Sequence, residues 1–85
     1  MFINKAEDGT NNLCGKRIAD RRKKLGLSQR KLADSLQREG LDVDKNAVQR
    51  IESGQRFVTD IELLYLSRTL GITLNDLLGA EEMGN

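Results

Sequence analysis

Apolar residues recur along this chain at helical spacing, and each apolar stripe is closed by a residue suited to ending a helix. In "LCGKRIADRRKKLG", Cys14, Ile18 and Leu25 stand four and seven residues apart and line one face, while Lys and Arg residues cover the rest. Gly26 ends this first helix, which is expected to begin near Leu13. Ser28 is an N-cap for "QRKLADSLQRE", with Leu32, Ala33 and Leu36 as its inward stripe and Gly40 as its stop. Asp44 caps a third helix reaching Glu52 or Ser53, with Val48 and Ile51 inward and Gly54 after it. Thr59 and Glu62 form a capping box ahead of "LLYLSRTL", and Thr73 with Asp76 opens a shorter last helix, "LNDLL". The pattern predicts an all-α fold of five helices with no strand.

Eighty-five residues suffice for one small core and leave no room for a second. Residues 1–12 are polar and without periodicity, so they are read as a mobile arm, residues 13–79 as the folded domain and residues 80–85 as a polar tail. With 38% hydrophobic and 32% charged residues, the core must be built mainly from Leu and Ile. No apolar run approaches the roughly 20 residues that span a bilayer, and "MFINKAEDGTNN" lacks a signal-peptide core, so a cytoplasmic location is expected. The single cysteine, Cys14, fits a reducing compartment and reads as a small core residue rather than a nucleophile.

The chain contains no histidine, which removes Ser-His-Asp and Cys-His pairs and the "HExxH" zinc site from consideration. Its 13 acidic residues are interleaved with basic ones, as on solvated helix faces, and its eight glycines stand singly rather than as a phosphate-binding loop. Neither enzymatic activity nor a cofactor or metal is expected.

Two short helices joined by a glycine-containing turn, the second presenting polar residues outward, can place a helix in the major groove of DNA. Lys45, Asn46, Gln49 and Arg50 make that outward face beside the inward Val48 and Ile51. Arg and Lys donate to guanine O6 and N7, and Asn and Gln pair two ways with adenine, so the face carries both kinds of reader. The same residue types also suit an ordinary solvated helix face.

The elements "GKRI", "GLSQRKLA", "AVQRIESGQR" and "TDIELLYLSRTLGITLNDLL", in that order over Leu13 to Gly79, resemble the Cro and lambda-repressor-like (XRE) helix-turn-helix family. The resemblance implies a compact five-helix bundle that binds double-stranded DNA. It places Lys45, Asn46 and Arg50 where family members reach base edges, with Gln49 beside them, and it implies that Gln29, Gln55 and Arg56 approach the sugar-phosphate chain. Gln29 reads equally well as a helix-start residue beside a cap, and Gln55 and Arg56 as a solvated loop. Arg22 and Glu52 are implied to pair, joining the first helix to the recognition helix. One departure is the segment "QREGLDV" between Leu36 and Asp44, where the family has about four residues; either the second helix is longer or the turn is larger.

Lys16 to Lys31 carries eight basic residues and one acid, a balance of +7 in a chain whose net charge is +1. Asp76, Glu81 and Glu82 would repel DNA, so that end is expected to face away from it. The function expected is a transcriptional regulator that represses by occupying its operator, without an effector domain. It is expected to be a weak homodimer, strengthened on an approximate inverted repeat. Leu74, Leu77 and Leu78 are the candidates for pairing, against the simpler reading that they close the core. The other function considered is a protein-interaction module such as the antitoxin of a toxin pair.

Overall fold

The computed structural model describes residues 4–80. Helices α1 (Gly15–Lys24), α2 (Gln29–Glu39), α3 (Lys45–Glu52), α4 (Asp60–Leu70) and α5 (Leu74–Leu78) follow in order, and no strand occurs among the described residues. The fold is therefore all-helical, as the spacing predicts. Residues 1–3 of the arm and 81–85 of the tail, Glu81 and Glu82 among them, lie outside the described residues.

Side-chain caps fix where four of these helices begin. Ser28 accepts from the Lys31 N–H, Asp44 from Ala47, Thr59 from Glu62 and Thr73 from Asp76. Each bond satisfies an amide that the first helical turn leaves without a partner. Glu62 returns a bond to the Thr59 N–H at 2.9 Å, completing the capping box. Helices α2, α4 and α5 end on left-handed Gly40, Gly71 and Gly79.

Helix α1 begins at Gly15 rather than near Leu13, because Asn12 Oδ1 accepts the Gly15 N–H at 2.8 Å and stops the helix there. Ile18, Leu32, Leu36, Val48, Ile51, Leu66, Leu70 and Leu77 are at most 2% exposed and, with Cys14, Ala33 and Val43, form the core. Burial of each large side chain stabilises the fold by about 1.5–3 kcal/mol. The inward stripe of α1 differs from expectation: Leu25 is 43% exposed, because the helix ends at Lys24 and leaves Leu25 at its C-cap, on the rim. The buried position one turn after Ile18 is taken by Arg22.

The lengthened connection between Leu36 and Asp44 is divided between helix and loop. Helix α2 runs on to Glu39, and the loop then folds back, with the Leu41 N–H donating to Leu36 O at 2.9 Å and Gln37 Nε2 to Val43 O at 2.7 Å. Val43 is buried by this return. The extra residues thus keep α3 packed on α2 rather than loosening it.

Candidate nucleic-acid interface

Helix α3 buries Val48 and Ile51 against α1 and α2, so side chains on its other side stand in solvent. Lys45, Asn46, Gln49 and Arg50 are all exposed, and the structure brings them together on that side. Between α2 and the start of α3 lies a shallow cleft of about 420 Å³ lined by Arg30, Asp34, Gln37, Asp44, Lys45 and Asn46. Arg30 is a basic neighbour of this exposed face that the sequence marks only as part of a charged run.

An ion pair holds this helix to α1. Arg22 Nε donates to Glu52 Oε2 at 2.7 Å and Nη2 to Oε1 at 3.0 Å, while Nη1 donates to Leu27 O at 2.8 Å. Both side chains are almost buried, 11% and 7% exposed. The hydrogen bonds that Arg22 donates to Glu52 raise its pKa above the ordinary value, so the guanidinium is charged at every relevant pH. Gln29 Nε2 adds a bond to Glu52 Oε1 at 3.0 Å, which ties the start of α2 to the last turn of α3.

The C-terminal end of α3 is held by residues that the sequence assigns to a mobile arm. Asn12 Nδ2 donates to Ile51 O at 3.0 Å and to Arg56 O at 2.8 Å, and the Asn11 N–H donates to Gly54 O at 2.8 Å. Asn11 Nδ2 reaches Gln55 O at 2.9 Å. Gly15 lies so close to the Ile51 carbonyl that a Cβ there would collide with it, which lets α1 and α3 approach. Asn12 is not at the N-cap of α1, which is Cys14 and has no side-chain cap, but its side chain serves the amide three residues on, the same spacing as in the Ser28 and Asp44 caps.

The residues that resemblance assigns to phosphates lie around this frame. Gln55 is exposed, and Gln29 is partly buried against Glu52. Arg56 is engaged inside the chain: Nη1 and Nη2 donate to Glu62 Oε1 and Oε2 at 3.0 and 2.9 Å. Burial pushes the Glu62 carboxyl upward, but the bonds from Arg56 and from Thr59 outweigh it and hold its pKa below the ordinary glutamate value. Nothing in the sequence motifs marks Glu62 as more than half of a capping box. The basic run is also partly internal, since Arg21 Nε caps α4 by donating to Leu70 O at 2.8 Å. Lys16, Lys23, Lys24, Arg30 and Lys31 remain exposed.

Cys14 is 1% exposed, and desolvation pushes its thiol up to about 11, so it stays protonated and inert at neutral pH. No group of metal-ligating side chains occurs among the described residues, and no helix there is long and apolar enough to cross a membrane.

A capped, rigidly anchored helix that presents two bases and two amides suits the reading of duplex DNA, and comparison with known families agrees with that chemistry. No curated protein and no solved structure matches the chain significantly. The helix-turn-helix family model matches residues 18–77, which span α1 from Ile18 through α5 to Leu77. With its five helices in that frame, the chain belongs to the Cro and lambda-repressor-like (XRE) helix-turn-helix family of DNA-binding transcription regulators.

Proposed function

We propose that this regulator represses transcription by occupying a specific duplex site, with α3 in the major groove. Lys45, Asn46, Gln49 and Arg50 read base edges there, and Gln29, Gln55 and Arg56 position the helix against phosphates. The observation that carries this reading is the exposure of all four side chains on a helix whose opposite face is buried, whose start is capped by Asp44 and whose last turn is tied down by Gln29 and Asn12. Base readout needs such rigidity, because a bidentate contact tolerates little displacement. Occupancy alone blocks access of other proteins to the covered base pairs, so repression requires nothing beyond binding.

The exposed residues at the end of the fold support a weak pair on DNA, though not through all of Leu74, Leu77 and Leu78. Leu77 is fully buried and closes the core, and Leu78 is half-buried; Leu74 is 42% exposed. Ile61 and Leu64, one helical turn apart on α4, are 64% and 41% exposed and add apolar surface that no described residue covers.

Selection of bound sequences from a pool of random duplexes tests the reading. Enrichment of one motif, with approximate two-fold symmetry, is the expected result. Retention of duplexes without any enrichment would leave a protein that holds DNA but does not read it, and failure to retain any duplex would remove DNA as the partner.

A further inference from the structure

We propose that Glu62 restrains the sequence-independent grip of this protein on DNA by cancelling the charge of Arg56; the proposal rests on the DNA-binding reading above. Arg56 sits where the chain leaves the recognition helix. Its N–H donates to Arg50 O at 3.2 Å and its carbonyl accepts from Asn12 Nδ2 at 2.8 Å, so its backbone is fixed at the edge of the reading face. A free guanidinium at this place would be a strong phosphate ligand.

The guanidinium is not free. Glu62 takes both of its terminal nitrogens, at 3.0 and 2.9 Å, and Nη1 also reaches Phe57 O at 3.4 Å. The carboxylate is the inner partner, 12% exposed against 30% for Arg56. Glu62 is itself held, because its Oε1 accepts the Thr59 N–H and its own N–H donates to Thr59 Oγ1. The pair is therefore a fixed dipole whose outer end is an arginine.

Attraction between a protein and any duplex depends on net positive charge placed near phosphates, since each neutralised phosphate releases counterions. An arginine with a carboxylate directly behind it can still donate a hydrogen bond to one phosphate and so set the register of α3. It adds almost nothing to counterion release. Glu62 thus makes Arg56 a positioning residue instead of an electrostatic anchor, which speeds exchange from random sites and leaves the readers on α3 untouched.

The test measures binding of the full chain to its selected duplex and to a random one, over about 50–200 mM salt. Glu62→Gln keeps an oxygen for the Thr59 N–H, so the capping box survives while the charge is lost. This variant is expected to bind both duplexes more tightly, by a similar factor, with a salt slope steeper by about 0.9. Arg56→Ala combined with Glu62→Gln is expected to restore the wild-type slope, since a silent pair has been removed whole. Asp60→Asn, the same charge change at an exposed position two residues away, is expected to shift the slope much less. A Glu62→Gln slope equal to wild type, or to that of Asp60→Asn, overturns the proposal. So does a double variant whose slope is shallower than wild type, which would show Arg56 neutralising a phosphate despite its partner. Wild-type protein that binds neither duplex would instead overturn the DNA-binding reading on which the proposal stands.

Discussion

Gln29 and Glu52 are joined by a hydrogen bond of 3.0 Å, made to the same carboxylate oxygen that Arg22 Nη2 reaches at 3.0 Å. One carboxylate at the last turn of α3 therefore fixes the start of α2 and the last turn of α1, and so holds the three helices in register. The bond uses one of the two N–H groups on the Gln29 amide. The other remains for an outside acceptor, so the bond to Glu52 is compatible with the phosphate contact proposed for Gln29.

Removing Glu52 tests that arrangement. Glu52→Ala leaves the Arg22 charge nearly buried with only the Leu27 carbonyl as partner. Breaking such a pair from one side costs about 3–5 kcal/mol. In a domain of this size each kcal/mol moves the Tm by about 4–8 °C, so a thermal melt should shift by more than 10 °C or so. A melt unchanged from wild type would show that the pair is dispensable to the fold.

Base reading makes a separate prediction, because it should fail without loss of stability. Arg50 and Asn46 are exposed and lie outside the core. Arg50→Ala is expected to weaken operator binding by about 1–3 kcal/mol and to relax preference at one guanine-containing position; Asn46→Ala should do the same at an adenine. Circular dichroism melts of both variants should match wild type. If repeated selection returned the same motif with the same affinity for both, α3 would not be the reading helix in the orientation proposed.

The fold and the exposed polar side of α3 are legible in the sequence because both depend on local rules. Ser28, Asp44, Thr59 and Thr73 each serve an amide three residues on, and the stripes of α2 and α3 follow from helical period alone. Long-range contacts are less legible. Asn12 reads as one polar residue among several in an aperiodic stretch, and its bonds to Ile51 and Arg56 cross 39 and 44 residues of sequence. Glu62 announces its bond to Thr59 by spacing, but its grip on Arg56 depends on how the loop between α3 and α4 turns. Leu25 fits the period of α1 and still faces outward, because the helix stops before the core reaches it.

The role given to Asn12 has a direct measurement. Asn12→Ala removes the cap of Gly15 and the donors to Ile51 O and Arg56 O together. At about 0.5–1.5 kcal/mol for each bond, with more where a buried carbonyl is left unpaired, the loss should be about 2–4 kcal/mol. Urea denaturation should show a lower midpoint with an unchanged slope, since the surface exposed on unfolding stays the same. A midpoint equal to wild type would return residues 10–12 to the status of a loose arm.

Cys14 provides a probe of whether the core opens. Its thiol is 1% exposed and held near a pKa of about 11, and the thiolate is the reactive form. Alkylation at neutral pH should be slow in the folded protein and should accelerate sharply in denaturant. In Asn12→Ala, whose α1 start is released beside Cys14, the rate under native conditions should rise. Rapid modification of the wild-type protein would show that the core is open at its N-terminal end.

Pairing on DNA is the prediction with the most to decide about how this regulator finds its site. One recognition helix reads only a few base pairs, too few to single out an operator against the background of a genome. In dimers of this motif the two half-sites lie about 34–36 Å apart, one turn of DNA, which demands an approximate inverted repeat. The apolar surface available is small: Leu74 on α5, and Ile61 and Leu64 on α4, at 42%, 64% and 41% exposure. A contact built from these falls well short of the roughly 1,200 Å² of a stable complex, so the free protein should sediment as a monomer. A duplex with two half-sites should take up two copies, more tightly than two independent sites would. Ile61→Gln, at the most exposed of the three, should abolish that extra affinity while binding to a single half-site stays at the wild-type value. One protein per duplex on both DNAs, with equal affinity, would show that the regulator acts as a monomer.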